Sequence, residues 1–164
     1  MRAPASAGVL LLQRAMKSIV EIEVHLPRRR VAMLFADPGN MTKWMPDLAR
    51  YDHIGGENGA VGARYRMVRK PRTWQPAFVA TVTGMTLPER LSLHLHARKV
   101  DVLANTTFTA LAKDRTKLIS EEEYVFPGLF RRLFGFFARN RTRRRHRARI
   151  RAFKKFAEGT QPTA

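Results

Sequence analysis

The sequence predicts an α+β domain in which a curved antiparallel sheet of about seven strands wraps around one long C-terminal helix, with two short helices after the first strand. Three observations predict it. Apolar and polar residues alternate in seven short stretches, the period of strands that lay one face on a core. Most of these stretches follow one another by turns too short for a crossover, so they pair as antiparallel hairpins. Their apolar face needs a cover, and the one long helical pattern left to supply it lies at the C-terminal end.

Ser18 to Leu26 alternates strictly, with Val20, Ile22, Val24 and Leu26 on one face and Glu21, Glu23 and His25 on the other. Pro27 stops that strand. Arg28 to Ala36 then runs with helical spacing, Val31, Leu34 and Phe35 falling together, until Asp37-Pro38-Gly39 breaks it. A second short helix covers Asn40 to Trp44 and ends before Pro46. Tyr51 to Ile54 and Ala60 to Val68 read as strands around the turn GGENG, and Tyr65 and Met67 oppose Arg64 and Arg66. Pro71 and Pro76 make Lys70 to Pro76 a loop. Strands follow at Phe78 to Gly84, Leu91 to Ala97 and Val100 to Leu111, with Leu87-Pro88-Glu89-Arg90 as a turn. The last strand, Lys117 to Phe126, comes after the turn Lys113-Asp114-Arg115.

A chain of 164 residues, 45% hydrophobic, suits one domain with a real core. Its expected extent is residues 18–158, after a loose extension over 1–17 and before a tail over 159–164. Zero cysteines exclude disulfides and thiolate metal sites. The short apolar run near the N-terminus is too small for a secretory signal and far too short to span a bilayer, which predicts a soluble cytoplasmic protein.

The stretches RVAMLFADPGNMTKWMPDL, GAVGARYRM, VTGMTLPERLSL and DRTKLISEEEYVF, in that order between Met16 and Glu158, resemble the START-like or SRPBCC superfamily, which includes polyketide cyclase and lipid-transport relatives. The Asp37-Pro38 turn followed by Trp44 and Pro46 carries the resemblance best, with the Pro88-Glu89-Arg90-Leu91 hairpin second. The resemblance implies a helix-grip fold, in which the sheet grips the long helix around a hydrophobic cavity. Such proteins include binders, carriers and a minority of enzymes. No shared catalytic signature comes with it, so no catalytic residue is assigned, and no cofactor.

Charge is concentrated at the C-terminal end. From Arg131 to Lys155 the chain carries twelve Lys or Arg and no acid, which is +12 of its formal +18. At about 100° per residue, Phe126, Phe130, Leu133, Phe134 and Phe137 cluster on one side of a helix. Thr142, His146, Ile150, Phe153 and Ala157 cluster on nearly the opposite side. A straight helix would bury different faces at its two ends, so a break or kink is expected between Ala138 and Thr142, with a short aromatic segment from Leu129 to Phe137 before it. The arginines occupy the remaining circumference of the second segment.

Three readings fit that charged face. One is a solvated helix surface. A second is contact of Arg139, Arg141, Arg143, Arg144, Arg145 and Arg147 with anionic lipid headgroups, placing the protein at the membrane periphery. The third is contact with RNA or the ribosome through residues 139–155.

Parity places Leu118, Ser120, Glu122, Tyr124 and Phe126 on one face of the last strand. If that face is concave, Glu122 points into the cavity, where it must pair or take up a proton. His146 or an inward arginine is an available partner, either as the polar end of a ligand pocket or as a structural ion pair. The residues expected to line a ligand site are Trp44, Tyr65, Met67, Phe78, Leu93, Phe108, Glu122, Tyr124, His146, Ile150 and Phe153, with Met45 beside them. His94 and His96 share a strand face, and two imidazoles need a third ligand to hold a metal, so an exposed strand face is the better reading and no metal is assigned. Gly55, Gly56, Gly59 and Gly62 lack the spacing and the following helix of a phosphate loop and read as turn residues.

Two functions follow from the cavity, beside the third, an RNA- or ribosome-interacting protein, that the charged helix face allows. The first is non-catalytic binding, and transport, of a lipid or other hydrophobic small molecule between sheet and helix. The second is a cyclase- or dehydratase-like enzyme in the same cavity, with Glu122 or His146 moving a proton. A cavity of several hundred Å³ holding bonded polar groups would favour the enzyme; a purely apolar cavity would favour the carrier. Oligomeric state is not encoded legibly.

Overall fold

The structure is a computed structural model that describes residues 16–71, 77–98, 100–126 and 137–160. Seven strands form one antiparallel sheet: β1 (Met16–Val24), β2 (Leu48–Gly55), β3 (Arg64–Arg69), β4 (Phe78–Thr86), β5 (Arg90–Ala97), β6 (Val100–Ala112) and β7 (Arg115–Val125). Their spatial order is β1-β7-β6-β5-β4-β3-β2. All but one of the neighbours are hairpin partners, as short turns require. The exception is β1, which pairs with β7 so that Val20 faces Ser120 and Ile22 faces Leu118.

Three short elements join the two sheet edges: α1 (Arg28–Ala36), a 3₁₀ turn (Pro38–Asn40) and α2 (Met41–Trp44). Pro27 stands at the N-cap of α1, and Asp37 closes the following turn by accepting a hydrogen bond from the Gly39 N–H at 2.8 Å. The long helix α3 runs Phe137–Gly159. It buries His146, Ile150, Phe153 and Ala157 against the sheet, with Thr142 half-buried above them. That is the inward stripe its angular pattern predicts.

Two expectations need adjustment. Helix α3 is uninterrupted through Ala138 to Thr142, so the break expected there does not exist. Arg139, Asn140 and Arg141 are exposed, so no change of buried face has to happen within that window; Leu129 to Phe136, the bulk of the aromatic segment, lies outside the described residues. The first strand also starts earlier than read, since Met16 and Lys17 pair with Tyr124 and Glu123. Residues 1–15 and 161–164 and most of the Lys70 to Pro76 loop lie outside the described residues.

The core closes one end of the sheet with aromatic rings. Phe35 of α1 stacks on Trp44 of α2 at 5.1 Å between centroids, and Phe153 of α3 meets their edges at 4.8 and 5.3 Å. Phe108 of β6 adds a fourth ring, 5.6 Å from Phe35. Edge-to-face pairs of this kind add to the apolar burial they accompany. This cluster fixes α1 and α2 under the C-terminal half of α3, and it leaves space on the side toward the N-terminal half.

Candidate ligand site

Between the sheet and α3 lies an enclosed space of about 40 Å³. Its walls are apolar on most sides: Phe35, Met41, Trp44 and Met45 from the helical corner, Tyr51 and Met67 from β2 and β3, Leu91, Leu93 and Leu95 from β5, and Ile150 from α3. The remaining wall, Thr106, Ser120, Glu122 and Arg149, is polar. Strand parity explains the division, because β7 presents Leu118, Ser120, Glu122 and Tyr124 in turn to the concave side.

Glu122 is buried, with Arg149 Nη2 donating to its Oε1 at 2.6 Å and the Tyr124 hydroxyl donating to its Oε2. Burial alone would push this carboxyl up. The Arg149 guanidinium and the phenol's hydrogen bond outweigh that and hold it below its ordinary range. Burial and the adjacent Glu122 charge push the Tyr124 phenol up, so it keeps its proton. For Arg149, burial works against the charge, yet Glu122 and Tyr124 raise its pKa overall.

His146 is fully buried beside this group, with Nε2 3.8 Å from Glu122 Oε1. Burial lowers its pKa despite Glu122, so it is neutral and the charge opposing Glu122 is that of Arg149. Its ring nitrogens lie 2.9 Å from Ser18 Oγ and 2.9 Å from Ser120 Oγ. A neutral imidazole satisfies both, donating from one nitrogen and accepting at the other. His146 thus ties β1, β7 and α3 together and does not reach the cavity wall.

Further toward the N-terminal half of α3, Arg69 donates to Asp47 Oδ2 at 2.6 Å and lies over the Phe78 ring, 5.9 Å from its centroid. Burial lowers the Arg69 pKa, Asp47 opposes that, and Arg149 and Arg145 press it lower. Two buried N–H donors have no acceptor among the described residues, Trp44 Nε1 and Arg69 Nε.

Of the residues expected at a ligand site, the cavity wall contains Trp44, Met67, Leu93, Glu122 and Ile150, with Met45 beside them. The rest lie outside that wall. Tyr65 lines a smaller adjoining space, stacks on Tyr51 at 4.6 Å, and its hydroxyl bridges Asn58 and the Gly59 N–H, anchoring a turn. Phe78 lies under Arg69, Phe108 and Phe153 belong to the aromatic cluster, Tyr124 reaches the cavity only through Glu122, and His146 is sealed between serines. Sequence reasoning missed Phe35, Met41, Tyr51, Leu91, Leu95, Ala104, Thr106, Ser120 and Arg149 as wall residues. The period-2 pattern that placed Leu93 also contained Leu91 and Leu95. Arg149 had no such signal, being one arginine among eight in the block.

His94 Nε2 and His96 Nδ1 both turn to one oxygen of Asp101, at 2.9 and 2.8 Å, on the outer face of the sheet. Among the described residues no group of three or more His, Cys, Asp or Glu is arranged to hold a metal ion. Gly56, Gly59 and Gly62 have φ of 75°, 78° and 90°, the left-handed region of turn glycines.

The chain matches the family model described as polyketide cyclase / dehydrase and lipid transport over residues 16–158. It belongs to that family. The helix-grip architecture and the superfamily resemblance read from the sequence agree with this. No curated protein matches the sequence significantly. Solved structures share the fold at low identity. The protein TTHA0849 from Thermus thermophilus is 11% identical at a TM-score of 0.74, with 89% of this chain and 99% of that one covered. Hypothetical protein jhp0584 from Helicobacter pylori is 14% identical at a TM-score of 0.72, covering 96% and 97%. Norcoclaurine synthase from Thalictrum flavum, solved in complex with dopamine and hydroxybenzaldehyde, is 14% identical at a TM-score of 0.70, covering 99% of both chains. At these identities the likeness is one of fold.

Proposed function

We propose that this protein binds and carries a hydrophobic small molecule or lipid between the sheet and α3, without transforming it. One observation carries the reading: the enclosed space is walled mainly by apolar side chains and, at about 40 Å³, lacks the several hundred Å³ that would have to accompany its bonded polar groups to favour the enzyme. Glu122 is ionised and paired, Tyr124 holds its proton, and His146 is neutral with both nitrogens engaged. None is poised at the wall to exchange a proton near neutral pH, which is what a cyclase or dehydratase would need.

About 40 Å³ holds a water or two, whereas small-molecule sites span about 300–1,000 Å³. The cavity therefore opens when it loads. Its wall suits that, because Met41, Met45 and Met67 are unbranched and repack easily. Met41, Tyr51, Leu91 and Leu93 also wall a second space of about 10 Å³. That space shares Ala36, Pro38, Gly59 and Met85 with an outer groove of about 500 Å³.

Native mass spectrometry of protein purified from its own host tests the reading. We expect an apolar adduct that is lost on delipidation and taken up again, and Ala104→Phe, which fills the wall, reduces uptake at least fivefold. A chain that carries no adduct and takes up no apolar probe would overturn it.

Arg139, Arg141, Arg143, Arg144, Arg145 and Arg147 are all exposed, which supports peripheral contact with an anionic membrane where such a ligand is collected or delivered. No helix among the described residues is long and apolar enough to cross a membrane. Binding to phosphatidylserine vesicles that falls steeply with salt is the expected result; equal binding to neutral vesicles would exclude the contact.

A further inference from the structure

We infer that the polar end of the cavity takes the oxyanion head of a single-chain amphiphile, a carboxylate or phosphate, while the alkyl tail occupies the apolar space. This rests on the cavity-binding reading above and adds the class of ligand.

In the sheet order, β3 and β7 are four places apart and run the same way. Each changes character along its concave face toward the same end. On β3 the buried Tyr65 and Met67 are followed by Arg69, and on β7 Leu118 and Ser120 are followed by Glu122 and Tyr124. Asp47 sits at that end too, because Leu48 pairs with Arg69. Helix α3 brings Arg149 to the same place through its pair with Glu122, and Arg145, one turn earlier on the same face of the helix, adds its charge there. An apolar floor therefore leads to one charged mouth.

The mouth carries too much positive charge for its acids. Arg149 is matched by Glu122 and Arg69 by Asp47, each at 2.6 Å. Among the described residues Arg145 pairs with no carboxylate; it feels the charge of Asp47, which is already bonded to Arg69, while Arg141 and Arg149 repel it. Arg69, with only 7% of its side chain exposed, has no acceptor for its Nε among the described residues. Buried donors are almost always satisfied in folded proteins. A surplus guanidinium and a buried, unpaired N–H ask for a ligand rich in acceptor oxygens and negatively charged; a bare alkane offers neither, and a sterol only one uncharged hydroxyl. Guanidinium groups suit carboxylate and phosphate because their N–H pairs match the spacing of the oxygens.

The test uses displacement of the neutral dye N-phenyl-1-naphthylamine from the full chain at pH 8. Competitors are dodecanoate, dodecyl phosphate and dodecanol, each below its critical micelle concentration. At least one acid is expected to bind about tenfold more tightly than dodecanol, consistent with a charge-assisted head contact; which acid does so identifies the head. In Arg145→Gln and Arg145→Glu the ratio of acid to alcohol affinity falls to threefold or less, and taking the ratio within each variant cancels any change in tail binding. Arg151→Gln, also exposed but nearer the C-terminal end of α3, keeps the native ratio. If dodecanol displaces the dye as well as both acids do, the head site is refuted while cavity binding stands. Equal loss of the ratio in Arg151→Gln would show only general attraction to a basic protein and also refute it. If the dye never binds, the cavity reading itself fails.

Discussion

Replacing Glu122 by Gln removes the carboxylate bonded to Arg149 and leaves a guanidinium with only 16% of its side chain exposed and no paired counter-charge, Asp47 being engaged by Arg69. Two unit charges about 4 Å apart attract by about 4 kcal/mol at an effective dielectric of 20. Removing one partner of a buried pair costs about 3–5 kcal/mol because the other charge stays desolvated. The Gln carbonyl still accepts from Arg149, and solvent reaches part of that side chain, so the lower end, about 3 kcal/mol, applies. For a chain of this size about 2–4 °C of melting temperature goes with each kcal/mol, giving a drop of about 6–12 °C in calorimetry at pH 7.5. The double variant E122Q/R149M removes the stranded charge and is expected to recover at least half of that loss. Acidification supplies an internal check. The folded carboxyl is held below its ordinary 4.5, so the pair's contribution is complete above that pH and disappears as pH falls through the folded value. The gap between native protein and E122Q therefore narrows below about pH 4.5. A drop under 3 °C, or a double variant no more stable than E122Q, would refute the buried pair as described.

His146 is held neutral by burial, below its ordinary 6.5, so the unfolded chain takes up its proton first and native stability falls as pH drops below 6.5. Urea titrations should show that slope, at most about 1.4 kcal/mol per pH unit, flattened in His146→Leu; an unchanged slope would assign it elsewhere. Phe153→Ala empties the centre of the aromatic cluster, where Phe153 is fully buried, and is expected to cost about 3–5 kcal/mol by the same titration. A Cβ at Gly56 would lie 2.4 Å from the Gly62 carbonyl oxygen, whereas one at Gly59 meets nothing. Gly56→Ala should therefore cost more than about 2 kcal/mol and Gly59→Ala about 1, the ordinary left-handed penalty; equal costs would remove the close approach from the account.

What the sequence determined by itself was everything that follows from period and punctuation. Alternation gave the strands and their inward residues, Pro27 and Asp37-Pro38 bounded the short helices, and the stripe Thr142, His146, Ile150, Phe153 named the buried face of α3 before any coordinates. Parity also turned Glu122 inward. These are local properties, since a strand or helix sorts its side chains by faces whatever its partner. The tertiary structure decided which inward residues meet open space and which meet each other. Phe108 and Phe153 are as inward-facing as Leu93, yet they fill the aromatic cluster while Leu93 faces the cavity. Arg149 and Arg145 are two arginines in a run of eight, and only the placement of β3 and β7 against that stretch of α3 brings them to Glu122 and Asp47. Pairing between residues far apart in the chain depends on sheet order and helix docking, and neither leaves a periodic trace in the residues that use it.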